Sequence, residues 1–317
     1  METIYFLVQQ TMLFSIPLLL VALGGMFSER SGVVNIALEG IMIIGAFTGI
    51  FFISRFGNLF SPTITLFIAI IISALSGLIF SLLHAYASIN MSADQVISGT
   101  ALNIFAPAFA IYVTRAIQVV QQISFVNNFR IESVPVLGNI PIIGNLLFKN
   151  AYITTYLGFI ILALSWFALY KTRFGLRLRS CGEHPQAADS VGINVYKMRY
   201  FGVAISGALA GIGGLVFVIP TSTNFNATVA GYGFLALAVL IFGQWKPIRI
   251  LYAAFFFGLM KTLASAYSGI SILSNLPISN SVYKMIPYIT TIIVLAFTSK
   301  NSQAPKASGL PYDKSVR

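Results

Sequence analysis

The chain has 317 residues, 57% of them hydrophobic and 9% charged, with a mean hydropathy of +0.86. A soluble domain carries about 25% charged residues, so this composition excludes a soluble globular domain and predicts a polytopic membrane protein. The net charge of +11 does not mark a nucleic-acid binder, because the basic residues lie in loops between apolar runs and not along one face.

A single cysteine, Cys181, excludes a disulfide framework and a cysteine-based metal site. His84 and His184 are far apart in sequence and give no metal-ligand spacing. The N-terminus lacks a basic region followed by a small-residue cleavage site, so the first apolar run is expected to be a retained span.

Membrane spans need about 17–25 mostly apolar residues. They are expected at residues 7–27, 33–54, 62–83, 93–114, 151–170, 199–219, 231–244, 248–267 and 283–298. The predicted fold class is therefore an all-α membrane helix bundle of about nine spans (eight to ten), forming one transmembrane domain over residues 1–298. Residues 299–317 form a short polar tail, expected to be poorly ordered.

The first span contains Pro17 and ends near Gly24 and Gly25, before a tight turn over residues 28–32. The second opens with Asn35 and Glu39, one helical turn apart and so on one face. Gly45 and Gly49 follow at the spacing that lets a neighbouring helix approach closely. Glu39 is the clear intramembrane carboxylate, which fits either a pathway or gate residue or a hydrogen bond to a neighbouring helix. The same two readings apply to Asn35 and to Asn103.

Ser92 and Gln95 predict a capping box at the start of the fourth span, which also holds Pro107 and an expected kink. Residues 115–150, punctuated by Pro135, Gly138, Pro141 and Gly144, are expected as an outer surface cap. The sixth span holds Gly202, Ser206, Gly207, Gly211, Gly213 and Gly214, with Gly207, Gly211 and Gly214 as candidate helix-packing positions. A second outer loop covers residues 220–230. The turn at residues 242–247 loosely echoes that at 27–32, a weak sign of a repeat.

Residues 171–199 carry six Lys or Arg against Glu183 and Asp189. Pro185 suits the first position of a short helix and Gly192 its stop. Ala187 and Ala188 would give that helix a small, smooth surface. It can enter a groove on a soluble subunit or lie on anionic lipid, and the residues alone leave both readings open. With this loop inside, the inner segments collect thirteen basic residues and the outer ones four, including Arg55, Arg115, Arg130 and Lys149. The positive-inside rule then puts the N-terminus outside and the C-terminus in the cytoplasm.

The sequence contains no phosphate-binding loop, no H-E-x-x-H and no G-x-S-x-G. No catalytic residue and no metal site are expected, and uphill transport would draw on an ion gradient or on another subunit's ATPase. A gradient-driven carrier coupled through Glu39 is one alternative. A membrane enzyme acting on lipid is another, opposed by the lack of clustered His, Asp or Cys.

FSERSGVVNIALEG (27–40), SADQVISGTALN (92–103), TRFGLRLRSCGEHPQAADSVGINVYKMRYFGVAISGALAGIGG (172–214), IFGQWKP (241–247) and GLPYDKSVR (309–317) are specific motifs, not hydropathy alone. Together they resemble the permease subunits of branched-chain amino acid/ribose-type ABC importers, and among these the simple-sugar and nucleoside permeases. The resemblance covers nearly the whole chain. It implies one half of a transmembrane pathway in the bacterial cytoplasmic (inner) membrane, paired with a second homologous permease or with itself. It also implies an extracytoplasmic binding lipoprotein that the two outer loops receive, and a cytoplasmic ATPase that uses ATP and Mg, this chain binding no cofactor itself. Within it, Glu183, His184, Pro185, Gln186, Ala187, Ala188, Asp189 and Gly192 correspond to the coupling helix that enters the ATPase.

Overall fold

A computed structural model of the chain describes residues 2–134, 138, 140–141, 144–267, 279–298 and 303–314. Pro135, and residues 299–302 and 315–317 of the tail, lie outside the described residues. The helices are α1 (Glu2–Arg30), α2 (Leu38–Phe56), α3 (Pro62–Ile89), α4 (Gln95–Gln118), α5 (Ile153–Lys171), α6 (Arg173–Glu183), α7 (Pro185–Ser190), α8 (Val195–Thr221), α9 (Tyr232–Phe242), α10 (Pro247–Ala266) and α11 (Asn280–Thr298). Four short strands, β1 (Ile123–Ser124), β2 (Arg130–Ser133), β3 (Lys149–Tyr152) and β4 (Asn224–Phe225), and a π-helical turn (Gly144–Phe148) complete the described elements. The protein is an all-α membrane bundle.

Each expected span has a helix, and seven among the described residues are long and apolar enough to cross a membrane. The exception in length is α9, whose eleven residues rise about 16 Å. That is about half of a 30 Å hydrocarbon core. The span expected at 33–54 also starts late, because residues 31–37 run as turns and extended chain before α2 begins at Leu38.

These two irregular segments, 31–37 and 222–231, organise the fold. Each follows the first helix of a four-helix set: α1–α4 in one half, α8–α11 in the other. α8 packs on α2 and α3, while α1 packs on α9 and α10, so the first helix of each set lies against the other set. Helix α5 and the short helices α6 and α7 lie between the sets. The turns at residues 27–32 and 242–247, whose likeness hints at a repeat, are contacting neighbours. Trp245 Nε1 donates to Glu29 Oε2 at 2.6 Å, and Arg30 donates to the Trp245 carbonyl.

α1 and α8 fill the centre. Residues 18–23 of α1 are fully buried, as expected of a helix apolar on all sides. Glycine sets the depth of the contact between α2, α3 and α8: a Cβ added to Gly77 would lie 2.8 Å from Gly211 Cα, and one on Gly45 would strike the Gly211 backbone. Such spacing lets backbones touch and dispersion contacts accumulate where no hydrophobic effect drives helices together. Ser73 adds a bond to the Gly45 carbonyl at 2.8 Å.

At the end of the bundle away from α6 and α7, β1 pairs antiparallel with β4, and β2 with β3. The first pairing joins the two outer loops into one cap, with Ile123 and Phe225 buried beneath it. Two local expectations need correction. The fourth span is capped by Asp94, which accepts from Val96 N and Ile97 N at 2.8 and 3.0 Å, and not by a Ser92–Gln95 box. Ser92 takes a left-handed φ of 50°, while the Gln95 side chain accepts from Val34 N at 2.7 Å and so fastens the broken start of α2. The tail is the second correction. Residues 303–314 are packed against the bundle because their backbone finds partners on three other segments, described below.

Candidate coupling site and pathway residues

The three polar candidates in the spans meet at the helix breaks. Gly231, at φ 78°, and Gly233 begin α9 and point their N–H groups at Glu39, whose two carboxylate oxygens accept them at 2.9 and 2.6 Å. The first N–H groups of a helix have no partner inside it, and inside the packed bundle no water supplies one. Glu39 fills that need, and its negative charge opposes the positive end of the α9 dipole.

Asn103 does the same for α2. Its Oδ1 accepts from Gly40 N at 2.7 Å, and its Nδ2 donates to the Ile36 carbonyl at 2.9 Å. Asn35 donates to Ser206 Oγ at 2.9 Å and accepts from Ala37 N at 3.1 Å. His84, read from sequence as giving no site, bridges the Val34 carbonyl at 2.9 Å and Ser98 Oγ at 3.0 Å. The structure brings Glu39, Asn35 and Asn103 together as holders of two broken helices, with their polar atoms committed to protein partners. Gly207, Gly211 and Gly214 all lie where α8 touches a neighbour, at Ser81, Ser73 and Met42 respectively.

The coupling candidates occupy the other end. Thr172 caps α6 through Gly175 N at 3.1 Å, and His184 Nδ1 caps α7 through Ala187 N at 3.2 Å, with Pro185 at the first position. Gly192 follows at φ 82°, a left-handed stop that glycine adopts at little cost. The six residues of α7 present Gln186, Ala187 and Ser190 outward, with Asp189 partly covered. Ala188, expected on the same smooth surface as Ala187, is instead turned inward and 3% exposed. The two are adjacent, so about 100° separates them around a helix of 3.6 residues per turn, and Ala188 meets the bundle.

α7 sits on a stiff mount. Arg30, at the end of α1, pairs with Glu183 at 3.4 Å and donates to the Trp245 carbonyl between α9 and α10 at 3.1 Å. Gly182 lies so close to the Arg30 backbone that a side chain there would collide with it. A shift of α7 therefore reaches α1, α9 and α10 through backbone contacts, and α8 through the short connection at residues 191–194. The sequence reading placed Glu29, Arg30 and Trp245 in turns and gave them no role, although all three fall within its most specific motifs. A rare Trp beside a Glu–Arg pair at the turns was the available signal.

Cys181 is buried in α6. Burial pushes its thiol up to about 11, while the nearby Arg199 guanidinium pulls the other way. An upward shift of this size lowers the thiolate fraction at neutral pH about 100-fold. Maleimide labelling of the folded protein is expected to be at least that much slower than labelling of the unfolded chain. Equal rates would mean that α6 does not pack as described. Among the described residues no cluster of His, Cys, Asp or Glu is able to hold a metal ion.

With this geometry in place, comparison with known proteins assigns the family. The family described as the permease component of the branched-chain amino acid transport system matches residues 7–295. The nucleoside ABC transporter permease NupC of Lactococcus lactis is 42% identical, over 99% of this chain and 98% of its own length. The guanosine ABC transporter permease NupQ of Bacillus subtilis is 44% identical, over 98% and 97%. A second Lactococcus nucleoside ABC transporter permease, NupB, is 26% identical over 78% of this chain and 69% of its own. No solved structure matches. The match over nearly the whole chain overturns the alternative of a gradient-driven carrier, and the chain belongs to the permease family of branched-chain amino acid-type ABC transport systems.

Proposed function

We propose that this chain is one half of the translocation pathway of an ATP-driven nucleoside importer, and that α7 is its contact with the ATPase subunit. The solute class rests on the full-length similarity to permeases named for nucleosides and guanosine. The observation that carries the coupling role is α7 itself, an exposed six-residue helix on a mount that reaches the breaks between spans. The chain has no phosphate loop of its own, so ATP and Mg are bound by the partner. A second permease completes the pathway, a reading supported by the two nucleoside ABC transporter permeases, NupC and NupB, of one Lactococcus strain, and a binding lipoprotein docks on the β-stranded cap. The basic residues around α6 and α7 face the cytoplasm, with the N-terminus outside.

ATP-driven closure of the ATPase dimer moves α7, and the joint at Arg30, Glu183 and Trp245 passes the motion to α1, α9 and α10. The rigid caps at Glu39 and Asn103 keep α2 and α9 intact while the bundle alternates between outward and inward openings. Replacing Ala187 by Glu puts a charge on the outer face of α7 and is expected to lower guanosine uptake and solute-stimulated ATP hydrolysis more than tenfold at unchanged permease level. The check is uptake and ATPase activity of the reconstituted importer; normal assembly and normal coupled hydrolysis in this variant would end the α7 assignment. Failure of the wild-type importer to take up any nucleoside would end the solute assignment.

A further inference from the structure

Residues 303–314, irregular chain with turns at 306–309, lie as a strap across the base of the coupling segment. Ala307 N donates to the Gly182 carbonyl at 2.8 Å, one residue from the end of α6. Gly309 N donates to the Gly32 carbonyl at 3.2 Å, in the turn that precedes the break of α2. The Leu310 carbonyl accepts from Arg199 at 3.0 Å, and that of Tyr312 from the Tyr196 hydroxyl at 3.4 Å. The Tyr312 ring packs edge-on against Tyr196 at 5.4 Å between centroids, and the Arg199 guanidinium lies 5.9 Å from its centre. Three separate parts of the bundle, α6, the 28–34 turn and the first turn of α8, are thus tied to one strand of chain.

The strap then runs beside α7. A groove of about 470 Å³ lies between them, lined by His184, Gln186, Ala187, Asp189, Ser190, Tyr312 and Lys314. One wall is the outer face of α7 and the other is the end of the strap, with Tyr312 buried as the hinge pin and Lys314 exposed. The lining sets Asp189 and Lys314, of opposite charge, beside the apolar faces of Ala187 and Tyr312, the mixed character of a protein–protein contact.

Resting on the assignment of α7 to the ATPase contact, we propose that the C-terminal strap is the second wall of that contact: the ATPase subunit binds α7 and residues 312–314 together. The strap also makes α6–α7 move as one body with α8 and the 28–34 turn, because it bonds to all of them. A rigid joint transmits a displacement that a free α7 would absorb.

The test uses the complete reconstituted importer with purified ATPase, carrying a benzophenone maleimide on a single introduced cysteine, since buried Cys181 reacts slowly. Lys314→Cys and Ala187→Cys are both expected to photo-cross-link to the ATPase, and Asn58→Cys, at the opposite end of the bundle, is not. Cross-linking from position 187 without position 314 overturns the strap as a wall and leaves α7 in place. Cross-linking from neither position overturns the α7 assignment itself. For the joint, Tyr312→Ala is expected to lower the solute transported per ATP at least fivefold, and Tyr312→Phe, which keeps the ring, to match the wild type. Equal transport per ATP in all three overturns the joint, and the cross-linking arm stands even if Tyr312→Ala fails to fold.

Discussion

Glu39→Ala is expected to leave almost no folded protein, whereas Glu39→Gln should fold with reduced stability and still transport. Alanine removes both acceptors from Gly231 and Gly233, whose N–H groups open α9 inside the bundle. An orphaned buried donor costs about 1–3 kcal/mol, and more where neither water nor another chain segment reaches it. Two such groups remove a large share of a typical total stability of about 5–15 kcal/mol. Glutamine keeps one carbonyl oxygen in the same place and so retains one of the two bonds. The measurement is monodisperse protein by fluorescence-detected size exclusion, its melting temperature in detergent, and uptake per folded molecule. The opposite pattern, a stable Gln variant with no uptake, would make Glu39 a transport group and sink the capping account.

Gly211→Val is the second large effect. Gly45, Gly77 and Gly211 are the points where α2, α3 and α8 touch, and a Cβ on Gly211 would meet the Ser73 carbonyl and lie 3.1 Å from Gly77 Cα. Overpacking against side chains costs about 1–3 kcal/mol because they rotate away. Here the obstacle is backbone on two helices, so the helices must separate and the Ser73 bond to the Gly45 carbonyl is lost as well. The expected result is a permease that fails to accumulate, with Gly211→Ala intermediate and lowered in melting temperature. A Val variant that expresses and melts like the wild type would mean that these helices are not in backbone contact.

Sequence and structure divide the account of this protein in a physically sensible way. Span positions, the all-α class and the membrane setting follow from composition, because about 30 Å of hydrocarbon demands long apolar helices whatever their neighbours. The short helix at residues 185–190 was also legible: Pro185 and Gly192 act through their own backbone, and local rules need no partner. The glycine contacts were legible in kind, since small residues at helical spacing have one main use in a membrane.

What stayed hidden depends on residues far apart in the chain. Glu39 reads as a candidate for proton or sodium coupling until Gly231 and Gly233, almost two hundred residues later, are seen to face it. Asn35 and Asn103, read from the sequence as either pathway residues or ties between helices, are seen to hold a helix start once their partners are known. Ala188 and Ala187 are alike in sequence, and only packing turns one inward. The tail is polar and contains Pro, the composition of a loose end, yet its backbone bonds to Gly182, Gly32 and Arg199 hold it down. The sequence by itself determined that helices cross a membrane and about where each lies, because those choices obey local and solvent-driven energetics. Only the tertiary structure decided which polar groups are committed to holding the bundle, because a hydrogen bond or ion pair exists only when both partners are brought together.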